Sequence, residues 1–319
     1  MFGRRYRVCI SAAAMILCSD FLFGAGFITI GTGGVTGIYF PTGGILCRMM
    51  NQNRKTTGIR CSVEATEGSL ANIQGLQKEK LDFALAQSDV VYRAYHGKGP
   101  FLGKAAKHLR SVAALYPELL TLVVRKGDGI TKLTDIKGRK IDLGTPASGT
   151  RITADSVLHA FGLKESDLHY VKAKDIDEDT AKLKSGKIDG YFGVFGHPAA
   201  AIEDAANLLA IDLVPIEGKP VDALVARYPY YSKGVIPSCY RGVAHVTPSL
   251  GVKALLVTTD KTPEKVVYAL TKILLKNFDR FKKLHPAYHS LKKKTLLQGL
   301  PIPQHPGAIR AFKEAGLLP

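Results

Sequence analysis

Several short stretches of this chain place backbone amides and small polar side chains where helices begin. The first is the loop Gly31-Thr32-Gly33-Gly34-Val35-Thr36-Gly37. Glycine there allows positive φ and lets the backbone come close to a ligand. The helix start behind it leaves unpaired N–H groups, for which a carboxylate is a natural partner. A plain strand-to-helix turn would use the same residues. A dinucleotide fingerprint needs glycine at position 36, which is threonine, and a P-loop needs a following Gly-Lys-Ser/Thr; neither is present. The second stretch is Ser148-Gly149-Thr150, where two hydroxyls and exposed amides at a helix start could hold a carboxylate, or merely cap the helix. Arg151 adds a cation nearby. Ser69 with Asn72, and Gln87 with Ser88 and Asp89, supply further hydroxyls and amides just beyond expected strands, where open α/β sheets bind ligands; capping alone is the competing reading for Ser69 and Asp89.

Catalytic patterns are harder to find. There is no G-x-S-x-G elbow and no H-E-x-x-H. His285 and His289 are an i, i+4 pair, but they span Pro286 behind a lysine run and read as surface. Asp175, Asp177, Glu178 and Asp179 read as a solvated helix start. No catalytic group, metal or cofactor is expected.

The elements that would carry the loops follow from periodicity. Strands are expected at 27–30, 59–66 and 82–87, with a helix at about 37–53 and helices opening at Ser69 and Asp89. Two strands broken by Pro117, at 109–116 and 119–125, form a crossover. The pattern then restarts: strand 140–143, helix 150–161, helix 175–183, strand 188–195, and a helix beginning near His197-Pro198. A returning strand at 252–258 and helices at 263–278 and 306–315 complete the chain. Residues 218–248 fit no element. Alternating strands and helices in two halves give two α/β lobes with facing helix starts.

Composition agrees with a globular protein: 46% hydrophobic and 22% charged over 319 residues. The net charge is +17. Such an excess raises the question of nucleic acid, anionic membrane or acidic ligands. No nucleic-acid-binding spacing accompanies it, and the dense run at Lys282, Lys283 and Lys292 to Lys294 reads as a basic solvated surface. Residues 1–26 read as a signal peptide: Arg4, Arg5 and Arg7, then a mostly apolar stretch, then Gly24-Ala25-Gly26. Its removal leaves a charge of +15. Of the five cysteines, Cys9 and Cys18 fall in that segment. Cys47, Cys61 and Cys239 lack metal-ligand spacing and read as small buried hydrophobes, with at least one thiol unpaired.

The succession GTGGVTGIYFPTGG, EGSLANIQGL, DFALAQSDV, GPF, ALYPE, GTPASGTR, KIDGYFGVFGHP and LPIPQHPGAI resembles the TAXI family, solute-binding receptors of tripartite ATP-independent periplasmic (TRAP) transporters. The resemblance extends from Ile28 to Leu317. It implies a type II periplasmic-binding-protein fold, with lobe 1 formed by 27–116 and 257–319 and lobe 2 by 117–256. It implies a periplasmic monomer that hands a small organic acid or amino acid, such as glutamate or a related dicarboxylate, to ion-gradient-driven membrane subunits, with no nucleic acid involved. It implies ligand-binding roles for Thr36, Gly37 and Tyr39; for Ser69 and Asn72; for Gln87 and Ser88; for Tyr116 at the hinge; for Ser148, Gly149 and Thr150 opposite; and for Phe195 as a wall. An enzyme on the same bilobal fold, transferring a phosphoribosyl or pyrrole group, and a secreted interaction protein without a transport role are the alternatives.

Overall fold

The computed structural model describes residues 26–171 and 178–319. The signal-peptide reading, and the readings of Asp175 and Asp177, lie outside these residues. The first part of the chain gives β1 (Gly26–Gly31), α1 (Tyr39–Gln52), α2 (Arg54–Thr57), β2 (Ile59–Glu64), α3 (Ser69–Gln77), β3 (Phe83–Gln87) and α4 (Ser88–His96). These strands are parallel, in the order β2-β1-β3. Their carboxyl ends therefore point one way, with a helix leaving from each.

A long strand, β4 (Leu109–Arg125), carries the chain onward. It then forms β5 (Lys140–Asp142), α5 (Gly149–Ala160), β6 (His169–Val171), α6 (Asp179–Lys184), β7 (Gly190–Phe195), α7 (Ala200–Leu208) and β8 (Ile211–Val214). Here β5, β6 and β7 are parallel, while β4 runs antiparallel to β7 and β8. After α8 (Lys219–Arg227) and β9 (Ser232–Ile236), β10 (Thr247–Thr259) returns to pair antiparallel with β3 and β4. Helices α9 (Glu264–Lys276), α10 (Phe278–Lys282) and α11 (Pro306–Glu314) close the chain against the first half.

The apolar cores separate along β4 and β10. Tyr116 and Ala254 belong to a core with Ile30, Leu46, Phe83 and Leu274. Leu120 and Val252, a few residues away on the same strands, belong to a core with Ile141, Leu158 and Phe192. Two strands thus join two lobes.

Several sequence expectations need correction. Pro117 does not break β4: it pairs with Lys253, and a register shift in the β10 pairing between Pro117 and Ala114 takes up the irregularity. The segment 218–248, unplaced from sequence, contains α8 and β9. The helix expected near His197-Pro198 begins at Ala200. Asp179 is not on a solvated face: it is 1% exposed, beside buried Asp142 and with Lys182 Nζ at 3.6 Å, and burial, with the neighbouring Asp142 carboxyl, pushes its own carboxyl well above the usual range. Cys47 and Cys61 are not separate hydrophobes. They form a disulfide with Cα atoms 4.9 Å apart, tying α1 to β2, while Cys239 is free and exposed. Sequence could not pair them, because spacing along the chain does not reveal that α1 packs across β2. No helix among the described residues is long and apolar enough to cross a membrane.

Candidate functional site

The carboxyl ends of β1, β2 and β3 face those of β5 and β7 across a cleft of about 610 Å³. That volume suits a small organic molecule. From the first lobe the walls are Gly33, Gly34, Val35, Gly37, Tyr39, Glu64 to Ser69, and Gln87. From the second they are Gly144, Thr145, Ser148 to Thr150, Val194 and Phe195, with Glu118 of β4 between.

On the second side the donor array is well defined. Ser148 caps α5, its Oγ accepting from Arg151 N at 3.1 Å and donating to Thr145 O at 2.7 Å. The amides of Gly149 and Thr150 are in the first turn, where no helix carbonyl precedes them to accept. Thr150 Oγ1 accepts from Val194 N at 3.1 Å, which fixes the hydroxyl beside β7. Arg151 does not contribute its charge. Its guanidinium pairs with Asp155 and Glu165 and stacks over Tyr170, away from the cleft.

On the first side, Gly68 rather than Ser69 caps α3, with φ of 107°, a conformation that favours glycine. Ser69 Oγ accepts from Gln87 N at 3.0 Å, tying the α3 start to the end of β3. The loop after β1 turns through a Gly37 N to Gly34 O bond before α1 begins.

Of the residues expected to bind ligand, Gly37, Tyr39, Ser69, Gln87, Ser148, Gly149, Thr150 and Phe195 line the cleft. Thr36 is half-buried between lining residues Val35 and Gly37. The other three stand behind the walls. Asn72 is 0% exposed and donates to Thr32 O at 2.6 Å and Leu85 O at 2.7 Å, while accepting from Thr66 Oγ1 at 2.8 Å. It pins the ends of three strands. Ser88 Oγ donates to Tyr230 O and accepts from Lys253 N. Tyr116 is buried against Tyr288 and Gly196 where β4 changes lobes.

The sequence reading missed Glu118. Its side chain is 2% exposed, and Tyr39 donates to Oε2 at 2.8 Å. Burial pushes this carboxyl up to about 8, against the Tyr39 hydrogen bond and with help from nearby Asp89. The signal was present: one carboxylate inside the apolar run VAALYPELLTLVV must be buried, and buried charges need a reason. Glu64, Glu67, Lys78 and Lys80 also lie along the walls. Among the described residues no group of His, Cys, Asp and Glu is arranged to hold a metal ion.

Two α/β lobes, joined by β4 and β10 around a cleft at strand carboxyl ends, are the type II periplasmic-binding-protein fold. The chain belongs to the NMT1-like family, whose model matches residues 30–316. Solved structures agree on the fold. A protein of Bordetella bronchiseptica RB50 superposes with TM-score 0.59 at 15% identity, covering 91% of this chain and 98% of that one. A ligand-binding component of an ABC-type import system from Staphylococcus aureus, with zinc bound, gives 0.50 at 14%, covering 92% and 93%. The GluR0 ligand-binding core from Nostoc punctiforme, in complex with L-glutamate, gives 0.50 at 13%, covering 83% and 100%.

Proposed function

We propose that this protein is an extracytoplasmic solute receptor that captures a small organic acid between its lobes and delivers it to a membrane transporter. The observation that carries the reading is the pair of free amides at Gly149 and Thr150, facing a polar first-lobe wall across a cleft of small-molecule size. A helix start of this kind holds a carboxylate without an arginine, and among the described residues no arginine lines the cleft. The lobes are taken as 27–116 with 257–319, and 117–256, except that Ala254 and Leu256 pack in the first-lobe core, which sets the β10 crossing near Lys253; they close about the crossings in β4 and β10. Gly37, Tyr39, Ser69, Gln87, Ser148, Gly149, Thr150 and Phe195 are the ligand-facing set; Thr36, Asn72, Ser88 and Tyr116 support it. The family relationship and the fold support a binding role over catalysis. The Cys47–Cys61 disulfide supports an oxidising compartment such as the periplasm. The succession of motifs supports TRAP-type membrane subunits as the recipient and glutamate or a related dicarboxylate as the solute. Native mass spectrometry of the protein purified without residues 1–26 tests this. A co-purified small acid, lost on unfolding and regained from added glutamate or dicarboxylate, is the expected result. Protein that carries nothing and takes up none of these acids would refute it.

A further inference from the structure

The excess positive charge is not spread evenly, and most of it lies outside the cleft, whose lining carries only the cations Lys78 and Lys80 among the described residues. From residue 46 to 60 the chain carries Arg48, Arg54, Lys55 and Arg60 with no acid, and all four are exposed. From 276 to 294 it carries Lys276, Arg280, Lys282, Lys283 and the run Lys292 to Lys294, with Asp279 as the single acid. These two segments lie together. Arg280 Nη1 donates to Gln52 Oε1 at 3.3 Å beside the end of α1, and Tyr288 bonds Thr42 at 2.6 Å in its first turn. The segment therefore runs back along α1, whose 14 residues span about 20 Å.

Phe278, Phe281, Tyr288, Leu291 and Leu296 are buried in the first-lobe core and anchor this segment. The lysines between them point outward. None of these basic side chains pairs with a carboxylate among the described residues, whereas elsewhere Lys182, Lys233, Lys261, Lys272 and Arg310 do. Leu284, 43% exposed, sits within the strip.

We propose that this strip on the flank of the first lobe is a docking surface for anionic phospholipid. No residue of the strip lines the cleft, whose own walls carry Glu64, Glu67 and Glu118 with Lys78 and Lys80, so its cations do not contact a solute held there. Its cations are mostly lysines with free ends, following several chain segments over an open surface. That pattern suits a diffuse layer of headgroup charge, to which each nearby cation adds attraction. Recognition of one acidic protein segment would more naturally use arginine forks in a formed groove. Lysine stems and Leu284 can settle at the headgroup boundary while the charges stay in water. Held this way, the receptor would remain at the membrane surface with its cleft unobstructed. The proposal stands independently of the solute reading.

Vesicle co-sedimentation of the protein lacking residues 1–26 tests it, comparing phosphatidylcholine alone with phosphatidylcholine containing phosphatidylglycerol. Partitioning should rise roughly tenfold or more on the anionic vesicles at low salt and collapse near 0.5 M salt. The variant K282Q/K283Q/K293Q/K294Q should lose most of that gain while keeping the wild-type melting temperature. The variant R54Q/K55Q, at the other end of the strip, should lose part of it. Equal partitioning on both vesicles, or variants that bind like the wild type, would overturn the proposal. So would capture by an acidic protein with no affinity for either vesicle.

Discussion

Gln87 Nε2 of the first lobe donates to Thr153 Oγ1 of the second at 2.8 Å. Thr153 Oγ1 in turn donates to Asp89 Oδ2 at 2.8 Å, and Arg93 Nη2 reaches Ser156 Oγ at 2.9 Å. Three side chains of the first lobe thus grip one helix, α5, behind the amides that face the cleft. A direct backbone bond from Ala71 N to Ala147 O at 3.0 Å adds to them. The two lobes are therefore in direct contact, and Gln87 serves that contact as well as the cleft wall.

The Thr153→Val substitution keeps the shape and removes this junction. It leaves Gln87 and Asp89 short of a buried partner, at about 1–3 kcal/mol. Small-angle scattering should show a larger radius of gyration for the ligand-free variant, and ligand affinity should fall. An unchanged radius and affinity would mean that these bonds do not govern closure.

Gly149 sits tightly against the first lobe. A Cβ there would lie 2.2 Å from Gln87 Oε1 and 2.7 Å from Ser69 Oγ. Gly149→Val should hold the lobes apart, weakening closure by roughly 1–3 kcal/mol, or about 5- to 150-fold in affinity. The melting temperature of the second lobe's core should change little, because the added methyls face the cleft. Calorimetric titration against wild type reads the difference.

Glu118 sets a pH dependence whose sign follows from its carboxyl being raised to about 8. Between its ordinary value near 4.5 and about 8, the folded protein holds a proton that the unfolded chain releases. Its contribution to stability is therefore fully present below about 4.5 and declines as pH rises to about 8. Glu118→Gln should lack this decline, which urea unfolding at pH 5 and pH 8 would detect as a difference on the order of a few kcal/mol. Parallel pH profiles for the two proteins would contradict the assignment.

The disulfide closes a separation of 14 residues between α1 and β2. Cys47→Ser with Cys61→Ser, or reduction of the wild type, should cost about 3 kcal/mol. Thermal unfolding with and without reductant checks this. The double variant should be insensitive to reductant, since Cys239 has no partner to lose.

Much of the architecture was legible because it rests on local patterns. The run DFALAQ reads as a strand and becomes β3; the small-residue loop before Thr150 reads as a helix start and becomes the start of α5, capped by Ser148. What escaped depended on packing between distant segments. Asn72 and Ser88 carry polar groups at the right places along the chain, yet the strand ends they face consume those groups. Cys47 and Cys61 meet only because α1 lies across β2. Pro117 stays within a strand because a neighbouring irregularity in the β10 pairing absorbs it. Glu118 was readable as a lone acid in an apolar run, but its partner Tyr39, 79 residues away, was not.

The central claim is that the Gly149 and Thr150 amides hold the carboxylate of a small acid inside the cleft. Isothermal titration of refolded, ligand-free protein with glutamate and a series of dicarboxylates tests it most directly. The account predicts saturable binding of one molecule per chain by at least one of these acids, and its weakening in Gly149→Val. Absence of binding across the series, or binding that is untouched by Gly149→Val, would contradict it.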